Sequence, residues 1–292
     1  SGSLRIRIAH DMPRTQLAAL LSVQRASLLN AKLPIVFVHG IKDTGDTWAQ
    51  MRAVFKNWGY TDDLLYSNTF KCPNAINCSN VTNAGEIETW VNQASADHGG
   101  SQVVLIAHSM GGVSSRYFLK NSQNASKVAA FVSIDSMTNG ILMPVSCPPS
   151  GFKLGPWDLG GTICNELSRG SSFISSLWQA SYDGMPAINF YSKDDDTIST
   201  FAMNAKGACN VRVNGPSHVS MIRDPGGIPL IKDKLYAFLN GTPYDDHLCD
   251  SDQTDVPTVS SLTSGAHNYL VVPVVFSGSS AYDQRNPAQL KS

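Results

Sequence analysis

The chain has 292 residues and a formal net charge of −1, with 42% hydrophobic and 15% charged residues. That length suits one large domain, or one domain with an appendage, and it buries a full core without depending on disulfides. Lys and Arg form no block, so the basic stripe that displaces counterions from nucleic acid is missing, and no apolar run reaches the ~18 residues of a membrane span.

Leu17, Leu20, Leu21 and Leu28 stand at helical spacing after Pro13, which predicts an opening helix; residues 1–30 read as an N-terminal extension. A main domain is expected over residues 31–244. Its first element is Pro34-Ile35-Val36-Phe37-Val38, a short continuous apolar run ending at His39-Gly40. Such a run suits a strand covered on both faces of a parallel sheet. Further strands are predicted at 64–70, 103–107, 128–134, 187–191 and 209–213. Helices are predicted at 84–98, 110–121 and 228–240. Strand alternating with helix implies a mostly parallel central sheet flanked by helices on both faces. Residues 136–185 break this rhythm. They are rich in Gly, Pro and Ser with scattered apolar residues (Ile141, Leu142, Met143, Phe152, Trp157, Phe173, Trp178), as expected of an insertion that covers a site. The large aromatics there either line a groove or pack under the insertion, the commoner fate. Residues 245–292 read as a C-terminal extension.

Ala107-His108-Ser109-Met110-Gly111-Gly112 lies between the apolar run at 103–106 and a helical pattern. A nucleophile elbow requires that context: the serine occupies a strand-to-helix turn crowded enough to need tiny neighbours two positions away on each side. Ala107 and Gly111 are those neighbours. At the helix start the Met110 N–H is placed to receive a developing oxyanion. A serine needs a base held by a carboxylate. After the strand at 187–191 comes Ser192-Lys193-Asp194-Asp195-Asp196-Thr197-Ile198, and after the strand at 209–213 comes Asn214-Gly215-Pro216-Ser217-His218. His218, His247 and His267 lie downstream of the aspartates, and of these His218 follows a core-like strand. The second oxyanion donor is expected after the first strand, from Ile41 or Lys42.

These blocks resemble those of the small secreted lipases of the Bacillus type, whose elbow also reads A-H-S-M-G-G and whose oxyanion strand ends in V-H-G-I. The resemblance covers about a quarter of the chain and implies the α/β-hydrolase fold. It places the nucleophile at Ser109, the base at His218 and the oxyanion donors at Ile41 and Met110. The register of Tyr191-Ser192 and Ile198 places the acid at Asp195, with Asp196 the runner-up. The opening helix, the cysteines, the tail and the 136–185 insertion (a candidate lid) depart from that family's pattern.

The implied function is hydrolysis of carboxylic esters, acylglycerols or similar lipids, at a lipid–water interface by a monomer. The alternatives are another acyl bond (polyester, thioester or cell-wall ester) on the same site, and an inactive binding module. No cofactor is expected. The carboxylates at Asp194–Asp196 lack accompanying His or Cys ligand spacing, so no metal is expected either. Six cysteines, an even number without C-x-x-C, point to disulfides and a secreted protein. Neighbours in sequence suggest Cys72–Cys78, Cys147–Cys164 and Cys209–Cys249, although six cysteines allow many other pairings. Sequons at Asn77, Asn80, Asn124 and Asn240 permit glycans without showing any.

Overall fold

The chain is described from a computed structural model, which covers residues 28, 32–71, 79–142, 147, 152–154, 157–178, 182, 185–241 and 249. All of these fall in the first of two units, Ser1–Thr254; the second, Asp255–Ser292, lies outside them. The expected opening helix also lies outside, apart from Leu28.

Six strands form one parallel sheet: β1 (Ile35–Val38), β2 (Leu65–Ser67), β3 (Val103–His108), β4 (Val128–Ile134), β7 (Ala187–Ser192) and β8 (Cys209–Val213). They run in the order β2-β1-β3-β4-β7-β8. Between β4 and β7 a small antiparallel hairpin joins β5 (Phe152–Leu154) to β6 (Trp157–Leu159). The helices are α1 (Ala49–Asn57), α2 (Asn80–Asp97), α3 (Met110–Asn121), α4 (Gly161–Leu167), α5 (Ser172–Trp178), α6 (Thr200–Met203) and α7 (Ile228–Leu239).

Alternation along the strands supplies two cores. Ile35 and Phe37 of β1, with Val104 and Ile106 of β3, face Met51 and Phe55 of α1 and Ile231 and Leu235 of α7. Val36 and Val38, with Val103 and Leu105, face Ile87 and Val91 of α2 and Phe118 of α3. Because both faces are covered, the strands read as unbroken apolar runs and not as alternating ones. This is the α/β-hydrolase architecture the sequence implies.

Two boundaries moved by three or more residues. The strand expected at 64–70 stops at Ser67, because Phe70 turns aside to pack on His39 and Trp90. Helix α2 begins at Asn80, four residues before the expected start, where the Ser79 side chain caps it by accepting the Thr82 N–H at 3.0 Å. Helix α1 was not anticipated; its core face is little more than Met51 and Phe55, one turn apart.

Cys147–Cys164 and Cys209–Cys249 are bonded as expected, while Cys72 and Cys78 lie outside the described residues. Two sequons change status. Asn80 is fully buried, with Nδ2 donating to Glu166 Oε2 at 2.8 Å and Oδ1 accepting from Ser114 Oγ at 2.8 Å, so that site has no room for a glycan. Asn124 donates Nδ2 to Glu88 at 2.6 Å. Asn240 is exposed just past α7, and Asn77 lies outside the described residues.

Candidate active site

The chain leaves β1 at one edge pair, visits β2, and returns through α2 to β3 on the other side of β1. The strand order therefore reverses between β1 and β3, and in open parallel sheets ligands bind outside the strand carboxyl ends at such a point. Ser109 follows β3 there. It has φ 56° and ψ −133°, a left-handed backbone that a non-glycine residue adopts only where its surroundings force it. Two features hold it there: the Ser109 N–H bonds to Ile134 O at 3.0 Å on one side, and α3 starts at the next residue.

The small residues around the turn are required by distance. A Cβ on Gly40 would lie 2.8 Å from Ser109 Cβ, which shows how closely the loop after β1 approaches Ser109. A Cβ on Gly111 would fall 2.4 Å from His39 O and 2.9 Å from Val38 O, both backbone atoms. Gly111→Ala is therefore expected to push α3 away from β1 and destabilise the fold by about 1–3 kcal/mol. Chemical denaturation reads this directly; parent-like stability would mean that the elbow is looser than the distances say.

The predicted residues converge. His218, after β8, places Nε2 at 2.9 Å from Ser109 Oγ and Nδ1 at 2.6 Å from Asp195 Oδ2. Asp195 Oδ2 can only accept, so Nδ1 carries the proton and Nε2 is left to accept from the serine hydroxyl. Asp195 Oδ1 in turn accepts the Thr197 and Ile198 N–H groups at 2.7 and 2.6 Å. Ser109, Asp195 and His218 are all buried around these contacts. The neighbouring aspartates do other work. Asp194 Oδ2 accepts the Gly215 N–H at 2.7 Å, and Asp196 Oδ1 accepts the His218 N–H at 3.1 Å. Together they fasten the β7 loop to the β8 loop on either side of the relay.

Ile41 and Met110 are buried in a third apolar cluster with Met137, Ile163, Leu167, Ile174 and Leu177 from the 136–185 segment. Met110 is the first residue of α3, where helix geometry leaves the N–H without an intrahelical acceptor. The 136–185 segment is anchored to α3. Buried Arg116 donates to Thr138 O at 3.1 Å and Leu177 O at 2.9 Å, and Lys120 donates to Ser176 O at 2.8 Å. Phe173 stacks on Tyr117, its ring centroid 5.2 Å away.

Residues 32–222 match the family model described as lipase (class 2). The chain belongs to the class 2 lipase family. Solved structures that this class 2 lipase resembles include lipase B of Aspergillus fumigatus, with 16% identity and a TM-score of 0.56 over 75% of this chain and 57% of that one. Phospholipase PlaB of Legionella pneumophila matches at 14% identity and a TM-score of 0.52, over 64% of this chain and 53% of that one. Lipase BlEst2 of Bacillus licheniformis matches at 14% and 0.54, over 70% and 91%. The class 2 lipase thus spans little more than half the length of the first two, and at these identities the likeness concerns the fold.

Three polar residues of the site escaped the sequence reading. His39 has Nδ1 at 2.7 Å from Gly40 O and accepts the Phe70 N–H on Nε2 at 3.0 Å, so its Nδ1 is the donor and the ring is neutral. His108 lies against the His218 ring at 4.8 Å, with Nε2 at 3.1 Å from His218 O. Asp135 follows β4 and is fully buried. Each adjoins a recognised strand end, which is the one signal that marks them. Among the described residues, Asp135, Asp195 and His218 are also the group whose ligand atoms lie close enough, within 4.8 Å of one another, to hold a metal ion.

Burial lowers the pKa of His39; burial, then the His218 charge, lowers that of His108 further. Both therefore bind protons in the unfolded chain, at its ordinary value of about 6.5, before they do so in the fold. Their stabilisation is complete above about pH 6.5 and is lost as pH falls below it. Asp135, raised by burial, opposes one of the two. His39→Asn removes one titrating ring, so the variant should lose less stability between pH 7 and pH 5 than the parent does. Identical dependence in both would contradict the assignment.

Proposed function

We propose that this class 2 lipase hydrolyses carboxylic esters of lipids through an acyl-enzyme on Ser109. The observation that carries the reading is the continuous relay from Ser109 Oγ to His218 Nε2 at 2.9 Å and from His218 Nδ1 to Asp195 Oδ2 at 2.6 Å. Ser109 Oγ attacks the ester carbonyl as its proton passes to Nε2, and Asp195 stabilises the imidazolium that results. The carbonyl oxygen becomes an oxyanion, received by the Met110 N–H and an N–H of the Ile41 turn. Collapse expels the alcohol, which takes the proton from Nε2. Water repeats the sequence on the acyl-enzyme, releasing the acid and restoring the serine. The apolar cluster holding Ile41 and Met110 together with the 136–185 segment supports an acyl chain as the bound group.

The 136–185 segment is a cover over the site on a main domain of about residues 31–244. The two disulfides support secretion, since such bonds persist in oxidising compartments. The relay needs neither cofactor nor metal to generate its nucleophile. Hydrolysis of p-nitrophenyl esters of graded acyl length, with and without chelator, tests the ester chemistry and its independence of metal together. The expected result is turnover indifferent to chelator; no turnover of any ester would overturn the proposal.

A further inference from the structure

Beneath the relay lies a carboxyl group for which the proposed chemistry has no use. Asp135 leaves the end of β4 at φ 41°, in the left-handed region. Its N–H donates to Phe190 O at 2.8 Å, and its Oδ1 accepts the Ser192 N–H at 2.7 Å, so it ties the end of β4 to the end of β7. Its other oxygen, Oδ2, is buried and has no donor among the described residues. A second acid adjoins Asp135: one oxygen of each carboxyl group and one ring nitrogen of His218 lie within 4.8 Å of one another.

Two acids so placed in a dry interior cannot both ionise cheaply, because like charges and burial each favour the neutral form. The donors decide which one keeps a proton. Asp195 receives three N–H groups, from Thr197, Ile198 and His218, whereas Asp135 receives one, from Ser192. An acceptor facing an acceptor is orphaned; a proton on it turns the contact into a hydrogen bond.

We propose that Asp135 is a positioning residue that stays protonated at working pH and donates its Oδ2–H to Asp195, so that the two acids carry one negative charge beneath His218. The proposal rests on the triad reading above. The hydrogen bond fixes the plane of the Asp195 carboxylate, and with it the imidazole. The charged groups facing the pair are Asp196 from the β7 loop and His218 from the β8 loop, the latter backed by His108. Burial first, and then the charge of Asp195, push Asp135 well above the usual carboxylate range, in the same direction as the geometry.

Asparagine has the shape of the protonated acid and reproduces both of its bonds, donating through Nδ2 and accepting through Oδ1. Asp135→Asn should therefore fold, keep kcat within about threefold of parent, and leave the acid limb of the kcat/KM profile where it was. Asp135→Ala, which orphans the Ser192 N–H and frees the Asp195 plane, should lower kcat about ten- to a hundredfold with a smaller change in KM. If Asp135 were ionised, alone or under a bound cation, Asp135→Asn would remove a negative charge near the imidazole and move the acid limb down by about one pH unit or more. That shift would overturn the proposal, and so would an Asn variant that fails to fold. A separate readout needs no turnover. Infrared spectra at pH 7 should show the carbonyl band of a protonated carboxyl in the parent, kept in Glu166→Gln (the other carboxyl raised by burial) and missing from Asp135→Asn. Absence of that band overturns the proposal even if Ser109 and His218 act as described, and its presence in an inactive chain would fault the triad reading alone.

Discussion

Ser109→Ala should fold like the parent and lose about 10⁴ or more in kcat, the largest single effect expected of any substitution in the chain. The reason is chemical, since the fold does not lean on the hydroxyl. Ser109 Oγ contacts His218 Nε2, whereas the turn is held by backbone: the N–H to Ile134 O and the close packing of Gly40 and Gly111. Alanine at φ 56° bears the same backbone strain as serine, so removing the hydroxyl neither relieves nor adds any. What survives is the rate owed to oxyanion donors and binding. Thermal unfolding within a few degrees of parent, beside collapse of ester turnover, is the expected pair of results. Residual kcat within tenfold of parent would place the nucleophile elsewhere.

Asn substitutions along Asp194, Asp195 and Asp196 should divide sharply, with Asp195→Asn losing about 10⁴ in kcat and the other two remaining within about tenfold of parent. Asp195 Oδ2 is the acceptor that keeps the proton on His218 Nδ1. An amide there either presents its own N–H to Nδ1 or turns its oxygen, and in neither case does it offset the imidazolium charge. Asp194 and Asp196 accept backbone N–H groups from Gly215 and His218, a task that Asn Oδ1 can take over. Steady-state kinetics on the three variants, fitted for kcat and KM separately, checks the assignment. A crippled Asp196→Asn with an active Asp195→Asn would show that the relay runs through the neighbouring residue.

Elements fixed by short-range rules were the ones the sequence made readable. The sheet could be read because its strands are covered on both faces and so appear as continuous apolar runs, as in 35–38 and 103–106. Ser109, Asp195 and His218 could be read because each follows such a run in the order this fold imposes. Helix α1 could not, since two buried residues one turn apart are too little periodicity to separate from a loop. Asp135 was hidden for another reason. It sits between Ile134 and Ser136 at the start of a Gly/Pro-rich stretch, and only the parallel pairing of β4 with β7 brings it close to Asp195. The burial of Asn80 depends likewise on a partner far away in sequence, Glu166, so its sequon looked available. The 136–185 insertion was legible as composition; Arg116 and Lys120, which bond to its backbone, belong to α3 and gave no local sign of that role.

The central claim, that Ser109 is activated by His218 into a nucleophile, is tested most directly by covalent labelling. A fluorophosphonate reacts only with a serine whose proton is being taken, so the parent enzyme should bear one phosphonyl group, and peptide mapping should place it on Ser109. His218→Ala should label far more slowly, and Ser109→Ala not at all. Labelling of a different serine, or undiminished labelling of the His218→Ala chain, would contradict the account.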